Sequence, residues 1–140
     1  VNAVVLNQQS QYENKMPNLS SGVLENAYWG TITATIPWQQ ASVSQCMLSL
    51  TATGEASDIW LQRILFYNAS GQYLSGKELQ KKDIIVEVPQ GTEQIKISLN
   101  SPGRNISWGD YGTYLTTGQL AISVSGTDAS QLQAVSVLVK

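Results

Sequence analysis

Ile59–Gly71 reads IWLQRILFYNASG, and the fold class follows from how it alternates and how it stops. Ile59–Tyr67 is apolar, β-branched and aromatic over a length suited to one buried strand. Asn68-Ala69-Ser70-Gly71 then closes it with a turn sequence that places glycine where a positive φ is needed. Counting by twos puts Trp60 on the face of Ile64 and Phe66, and so into the core.

The same two-residue period extends outward in both directions. Upstream, Tyr28–Ile36 (YWGTITATI) sets Tyr28, Gly30, Ile32, Ala34 and Ile36 against Trp29 and three threonines, and Pro37 ends it. Val43–Thr53 alternates again. Downstream come Ile84–Val88, Gln94–Leu99, Leu120–Val124 and Ala134–Val139, separated by turn residues at roughly ten-residue spacing. Gly76–Lys82 is the one helix candidate, about two turns long. Short strands without alternating helices predict an all-β protein, an antiparallel β-sandwich of jelly-roll type with seven to nine strands. Residues 1–17, rich in Gln and Asn with Pro17 at the end, read as an N-terminal linker or edge strand, and 18–140 as the sandwich itself.

The 140 residues suffice for one ordinary core. Charged residues are only 13% of the chain, and 48 residues are Ser, Thr, Asn or Gln. With 42% hydrophobic residues this excludes a disordered chain. A net charge of −2 argues against a nucleic-acid partner. Apolar runs as short as Ile84-Ile85-Val86 argue against membrane insertion. The start, Val-Asn-Ala-Val-Val, carries no basic region before an apolar segment, so an excised domain or processed product is expected.

Two absences narrow the chemistry. There is no histidine, which removes the usual general base and the commonest transition-metal ligand. The single cysteine, Cys46, sits in an alternating apolar run and reads as a buried, inert thiol. The ten carboxylates show neither the facing pair of a glycosidase nor a regular calcium-loop spacing. The expectation is therefore no enzyme, no cofactor and no metal. Three Asn-x-Ser matches, at Asn18, Asn68 and Asn105, are what chance gives in a chain this rich in Asn and Ser.

What remains is an unusual set of aromatic residues: one Phe against four Trp and six Tyr. Tyr and Trp pair a flat apolar ring with a polar tip, as surfaces that stack on sugars require. Trp38, between Pro37 and two glutamines, reads either as a ligand contact or as a lid on the end of the sandwich. Ser101–Gly118 (SPGRNISWGDYGTYLTTG) reads as a long irregular loop that collects Arg104, Asn105, Trp108, Asp110, Tyr111 and Tyr114. It is either a binding loop or a self-packed Ω-loop with Arg104 and Asp110 paired.

Ile64–Lys77 (ILFYNASGQYLSGK) resembles the central hairpin of jelly-roll carbohydrate-binding modules attached to phage tail and baseplate proteins. The resemblance extends loosely over Asn18–Lys140 and carries no ligand residues across. It implies a non-catalytic module that recognises bacterial cell-surface polysaccharide, carried by a parent tail or baseplate protein, and located in a virion tail or outside the cell. The second reading is a structural virion or adhesin domain whose aromatics pack protein interfaces, with Val1–Leu6 or Ala134–Val139 pairing into neighbours.

Overall fold

The computed structural model describes residues 3–27, 30–39 and 43–127. Two antiparallel sheets face each other across one apolar core. The first holds β1 (Val4–Leu6), β6 (Gln45–Ala52), β9 (Asp83–Glu87) and β11 (Leu120–Thr127), in the order β1-β11-β6-β9. The second holds β2 (Tyr12–Glu13), β5 (Ile32–Pro37), β7 (Trp60–Tyr67), β8 (Tyr73–Lys81) and β10 (Gln94–Asn100), in the order β2-β5-β10-β7-β8. The first strand pairs with the last described one, and successive long strands cross between the sheets except at the β7–β8 hairpin, which is jelly-roll winding. β3 (Lys15–Pro17) and β4 (Leu24–Asn26) form a separate hairpin. The described residues hold eleven strands against the seven to nine expected, and the short N-terminal pieces β2 to β4 account for the excess.

Alternation builds the core as the sequence predicts. Ile32, Ala34 and Ile36 of β5 meet Leu99, Ile97 and Ile95 of β10, and all six are buried. Cys46, Leu48 and Leu50 of β6 face inward beside Val124 and Ile122 of β11. Burial pushes the Cys46 thiol up to about 12, so it is a small apolar side chain and no nucleophile. The Asn68–Gly71 turn is as expected: Asn68 Oδ1 accepts from the Ser70 and Gln72 amides, and Gly71 has φ of 82°.

The outer face of the second sheet is closed by the β3–β4 hairpin. Four side chains of that sheet donate to hairpin carbonyls: Thr33 to Lys15, Arg63 Nη1 to Pro17, Tyr73 to Leu19 and Tyr67 to Gly22. The hairpin that suggested a sugar-binding module thus spends both of its tyrosine hydroxyls on internal bonds. Burial pushes the Tyr67 phenol up to about 12.

Three local expectations are corrected. The helix expected at Gly76–Lys82 is instead strand β8 as far as Lys81, because Lys77 and Glu78 pair with Ile64 and Arg63 of β7; the ladder overrides a modest helix propensity. Trp60 does not share a face with Ile64, because the register shifts between Leu61 and Arg63. Leu61 takes the core position, and Trp60 is half-buried beneath the Lys82 ammonium, 4.4 Å from its ring. Residues 108–116 are a helix, α1 (Trp108–Thr116), rather than irregular loop. The Ser107 side chain caps it by accepting from the Asp110 amide. Tyr111, Tyr114 and Leu115 then fall at helical spacing on its buried face.

Candidate functional site

The 101–118 segment closes one end of the sandwich. Arg104 forms a fork on Asp58, Nε to Oδ2 at 2.9 Å and Nη2 to Oδ1 at 2.8 Å. Its Nη1 also donates to the Tyr114 hydroxyl at 3.0 Å, and Nη2 to the Glu55 carbonyl. Arg104 is therefore paired with Asp58, forty-six positions away, and not with Asp110. The Arg104 hydrogen bonds hold the Asp58 carboxyl down at about 2, against a smaller opposing effect of burial. Such a planar bidentate pair ties loop to loop and leaves little donor capacity for a ligand.

The rings are spent in the same way. Tyr111 is buried and donates to the Gly30 carbonyl; desolvation pushes its phenol up. Tyr114 is buried below Arg104. Trp108 is half-buried against the core, and its carbonyl accepts from Gln9 Nε2 at 2.8 Å. Asp110 and Asn105 are exposed. Trp38 is buried, with its amide bonded to the Glu93 carbonyl. It sits beyond the Pro37 end of β5, whereas α1 packs near the other end, on the order of 20 Å away along six residues of strand. Arg104 and Tyr114 touch, Tyr111 lies beneath them, and Trp38 belongs to a different end of the molecule. None of the eight described Trp and Tyr residues is in the exposed class; Tyr28 and Trp29, like Ala134–Val139, lie outside the described residues. Five of the eight are buried and Trp60, Tyr73 and Trp108 are half-buried, so the described residues present no fully exposed ring.

Among the described residues no group of three or more Asp, Glu or Cys side chains gathers in a way that could hold a metal. A cleft of about 830 Å³ opens at the Trp38 end, lined by Val43, Val88, Pro89, Gln90 and Glu93 as well as Trp38. Its one charged lining group is Glu93, so nothing in it sets an acid against a base.

The least occupied surface is the outer face of the first sheet. The register carries three rows across it: Val5–Ser123–Ser49–Asp83, then Ser125–Met47–Ile85, then Thr127–Gln45–Glu87. Val5, Met47 and Ile85 are 50%, 43% and 41% exposed. No Lys or Arg occurs in the four strands, and the only charges are Asp83 and Glu87 on β9. Among the described residues no loop or hairpin covers this face as β3–β4 covers the opposite one. Met47 and Ile85 pair across strands at the β9 side of a face otherwise made mostly of Ser, Thr and Gln, with the two carboxylates beside them. In the sequence the run Ile84-Ile85-Val86 served only to argue against membrane insertion; the signal was Asp83 and Glu87, two residues either side of Ile85.

No family model and no curated protein matches the chain. Among solved structures it is similar to a chain in the crystal structure of accessory secretory proteins 1, 2 and 3 of Streptococcus pneumoniae. That match has 15% identity and a TM-score of 0.44, covering 74% of this chain and 76% of the other. It is also similar to a chain of the glycosylation-associated Gap123 complex of Streptococcus agalactiae. Here identity is 17% and the TM-score 0.43, over 81% of this chain and 39% of the other. Likeness at this level supplies no activity to this chain. Membership of the phage tail and baseplate carbohydrate-binding modules, expected from Ile64–Lys77, is corrected: the structures found are streptococcal complex components and not tail modules. The polysaccharide ligand, the tail or baseplate parent and the virion-tail or extracellular placement fall with it, as does the virion or adhesin alternative. Of the expected partners, protein is the class that remains.

Proposed function

We propose that the chain is a non-catalytic protein-binding module whose docking surface is the outer face of the β1-β11-β6-β9 sheet. One observation carries the reading: Val5, Met47 and Ile85 stand exposed on one sheet face that, among the described residues, is uncovered and bears only negative charge. Isolated exposed hydrophobics are ordinary, but Met47 and Ile85 are direct cross-strand neighbours with no cation beside them, and Val5 stands on the same face beyond the serines of β11. The partner that fits it is a protein with an apolar surface bounded by Lys or Arg. The lack of histidine, the inert Cys46 and the paired Arg104–Asp58 speak for binding rather than turnover.

The test is co-purification of the tagged chain from its native host with the mass of the complex measured by light scattering. The wild-type chain is expected to elute with a protein at fixed stoichiometry. Met47→Glu is expected to elute alone while keeping its fold, since substitutions on an exposed strand face change stability by roughly 0.5 kcal/mol or less. A wild-type chain that elutes alone overturns the reading.

A further inference from the structure

Among the described residues β9 is an edge strand with an unused ladder. Its neighbour β6 is on one side only. The Leu50 amide donates to the Lys82 carbonyl and the Val88 amide to the Ser44 carbonyl, each at 2.8 Å. In an antiparallel pair the residues that bond across alternate. Lys82, Ile84, Val86 and Val88 therefore point their backbone groups at β6, and Asp83, Ile85 and Glu87 point theirs outward. Those same three residues place their side chains on the outer face, Ile85 exposed between two carboxylates. Asp83 and Glu87 are held upright, by Ser49 Oγ at 2.8 Å and Gln45 Nε2 at 2.8 Å.

We infer that β9 accepts an extended segment of the partner protein as an added strand, with a basic–x–apolar–x–basic pattern; this rests on the protein-binding reading above and names the contact. Backbone bonds to Asp83, Ile85 and Glu87 supply the pairing, and alternate side chains supply the selection. The acids choose between occupants. A second copy of this chain pairing antiparallel about Ile85 sets Asp83 opposite Glu87 twice, and like charges directly opposite each other destabilise a ladder. A segment with Lys or Arg two residues either side of an apolar residue turns both repulsions into attractions. The strand also runs on into Val88 and Pro89 of the cleft wall, so residues continuing past β9 arrive at an apolar hollow.

The experiment titrates the isotopically labelled chain with the acetylated, amidated peptide Thr-Lys-Thr-Ile-Thr-Lys-Thr, and with Thr-Glu-Thr-Ile-Thr-Glu-Thr as control, at low salt by amide NMR. The Asp83, Ile85 and Glu87 amides are expected to shift with the basic peptide. A preference of about tenfold over the acidic one is expected from two cross-strand charge pairs. The double variant Asp83→Lys/Glu87→Lys is expected to reverse that preference. Ile85→Pro is expected to abolish binding with the fold intact, since it removes a donor that the β6 ladder does not use. Shifts that map elsewhere, equal response to both peptides, or a preference unmoved by the charge swap overturns strand addition. A co-purifying protein that Met47→Glu releases but Ile85→Pro does not overturns strand addition alone and leaves the protein-binding reading standing.

Discussion

At the scale of single residues the molecule uses its polar aromatics as struts. Tyr111 is the clearest case: its hydroxyl serves the Gly30 carbonyl from 81 positions away, inside the core. Tyr111→Phe keeps the ring and removes the donor, so a buried carbonyl loses its partner. The expected loss is about 1–3 kcal/mol in urea denaturation. Asp58 gives a pH signature. Its carboxyl is held at about 2 by Arg104, below the usual carboxylate range. The stabilisation it contributes is therefore complete above about pH 4 and lost as pH falls toward about 2. Both partners are partly open to solvent, 39% and 45% exposed, so the effect is small. Comparing denaturant midpoints of wild type and Asp58→Asn from pH 6 to pH 2 is expected to show the gap closing only below about pH 4. A gap constant over that range contradicts the pairing.

At the scale of elements, the β3–β4 hairpin and α1 are held by a few specific contacts. Gly22 has φ of 73°, its carbonyl accepts from Tyr67, and a Cβ there would collide with the Tyr73 ring. Gly71 has φ of 82° with open space around it. Gly71→Ala is expected to cost only the left-handed backbone penalty, about 1–2 kcal/mol. Gly22→Ala is expected to cost more and to speed amide exchange across residues 15–26 while exchange in β6 and β11 is unchanged. Equal costs for the two variants would mean that the hairpin is not seated by this contact. For α1, Ser107→Ala removes the N-cap and is expected to cost about 1 kcal/mol by thermal denaturation. The sequence signal for α1 was present but weak: Ser107 with Asp110 three residues on, and Tyr111, Tyr114 and Leu115 in helical register. Gly109 and Gly112 obscured it, since glycine lowers intrinsic helix preference by close to 1 kcal/mol each. Packing on the sandwich end outweighs that cost.

At the scale of the whole molecule, charge is divided between the layers. Arg63, Lys77, Lys81 and Lys96 lie in strands of the second sheet, and the strands of the first sheet carry no Lys or Arg. The edges are guarded differently. β8, long and exposed, is broken by register shifts and studded with Lys77, Glu78 and Lys81. β9 has only Asp83 and Glu87 to keep copies apart. The double variant Asp83→Asn/Glu87→Gln is therefore expected to raise self-association, seen as earlier elution and higher mass by light scattering than the wild-type chain at the same concentration. An unchanged elution profile would show that the carboxylates do not guard this edge.

The two-layer β architecture, the inward set Ile32, Ala34, Ile36, Cys46, Leu48, Ile95 and Ile97, and the Asn68–Gly71 turn were legible in the sequence. Each depends on alternation or turn chemistry within a few residues, and strand periodicity is a local property. The pairing of β1 with β11, the helix at 108–116, the Arg104–Asp58 fork and the closure of the Trp and Tyr rings were decided by the tertiary structure. Whether a ring is open or closed depends on chain segments tens of positions away, and local pattern carries no record of them. The same holds for the face of Val5, Met47 and Ile85: alternation puts these residues on one side of a sheet, but the tertiary structure decides that the β3–β4 hairpin covers the other sheet and, among the described residues, leaves that side bare.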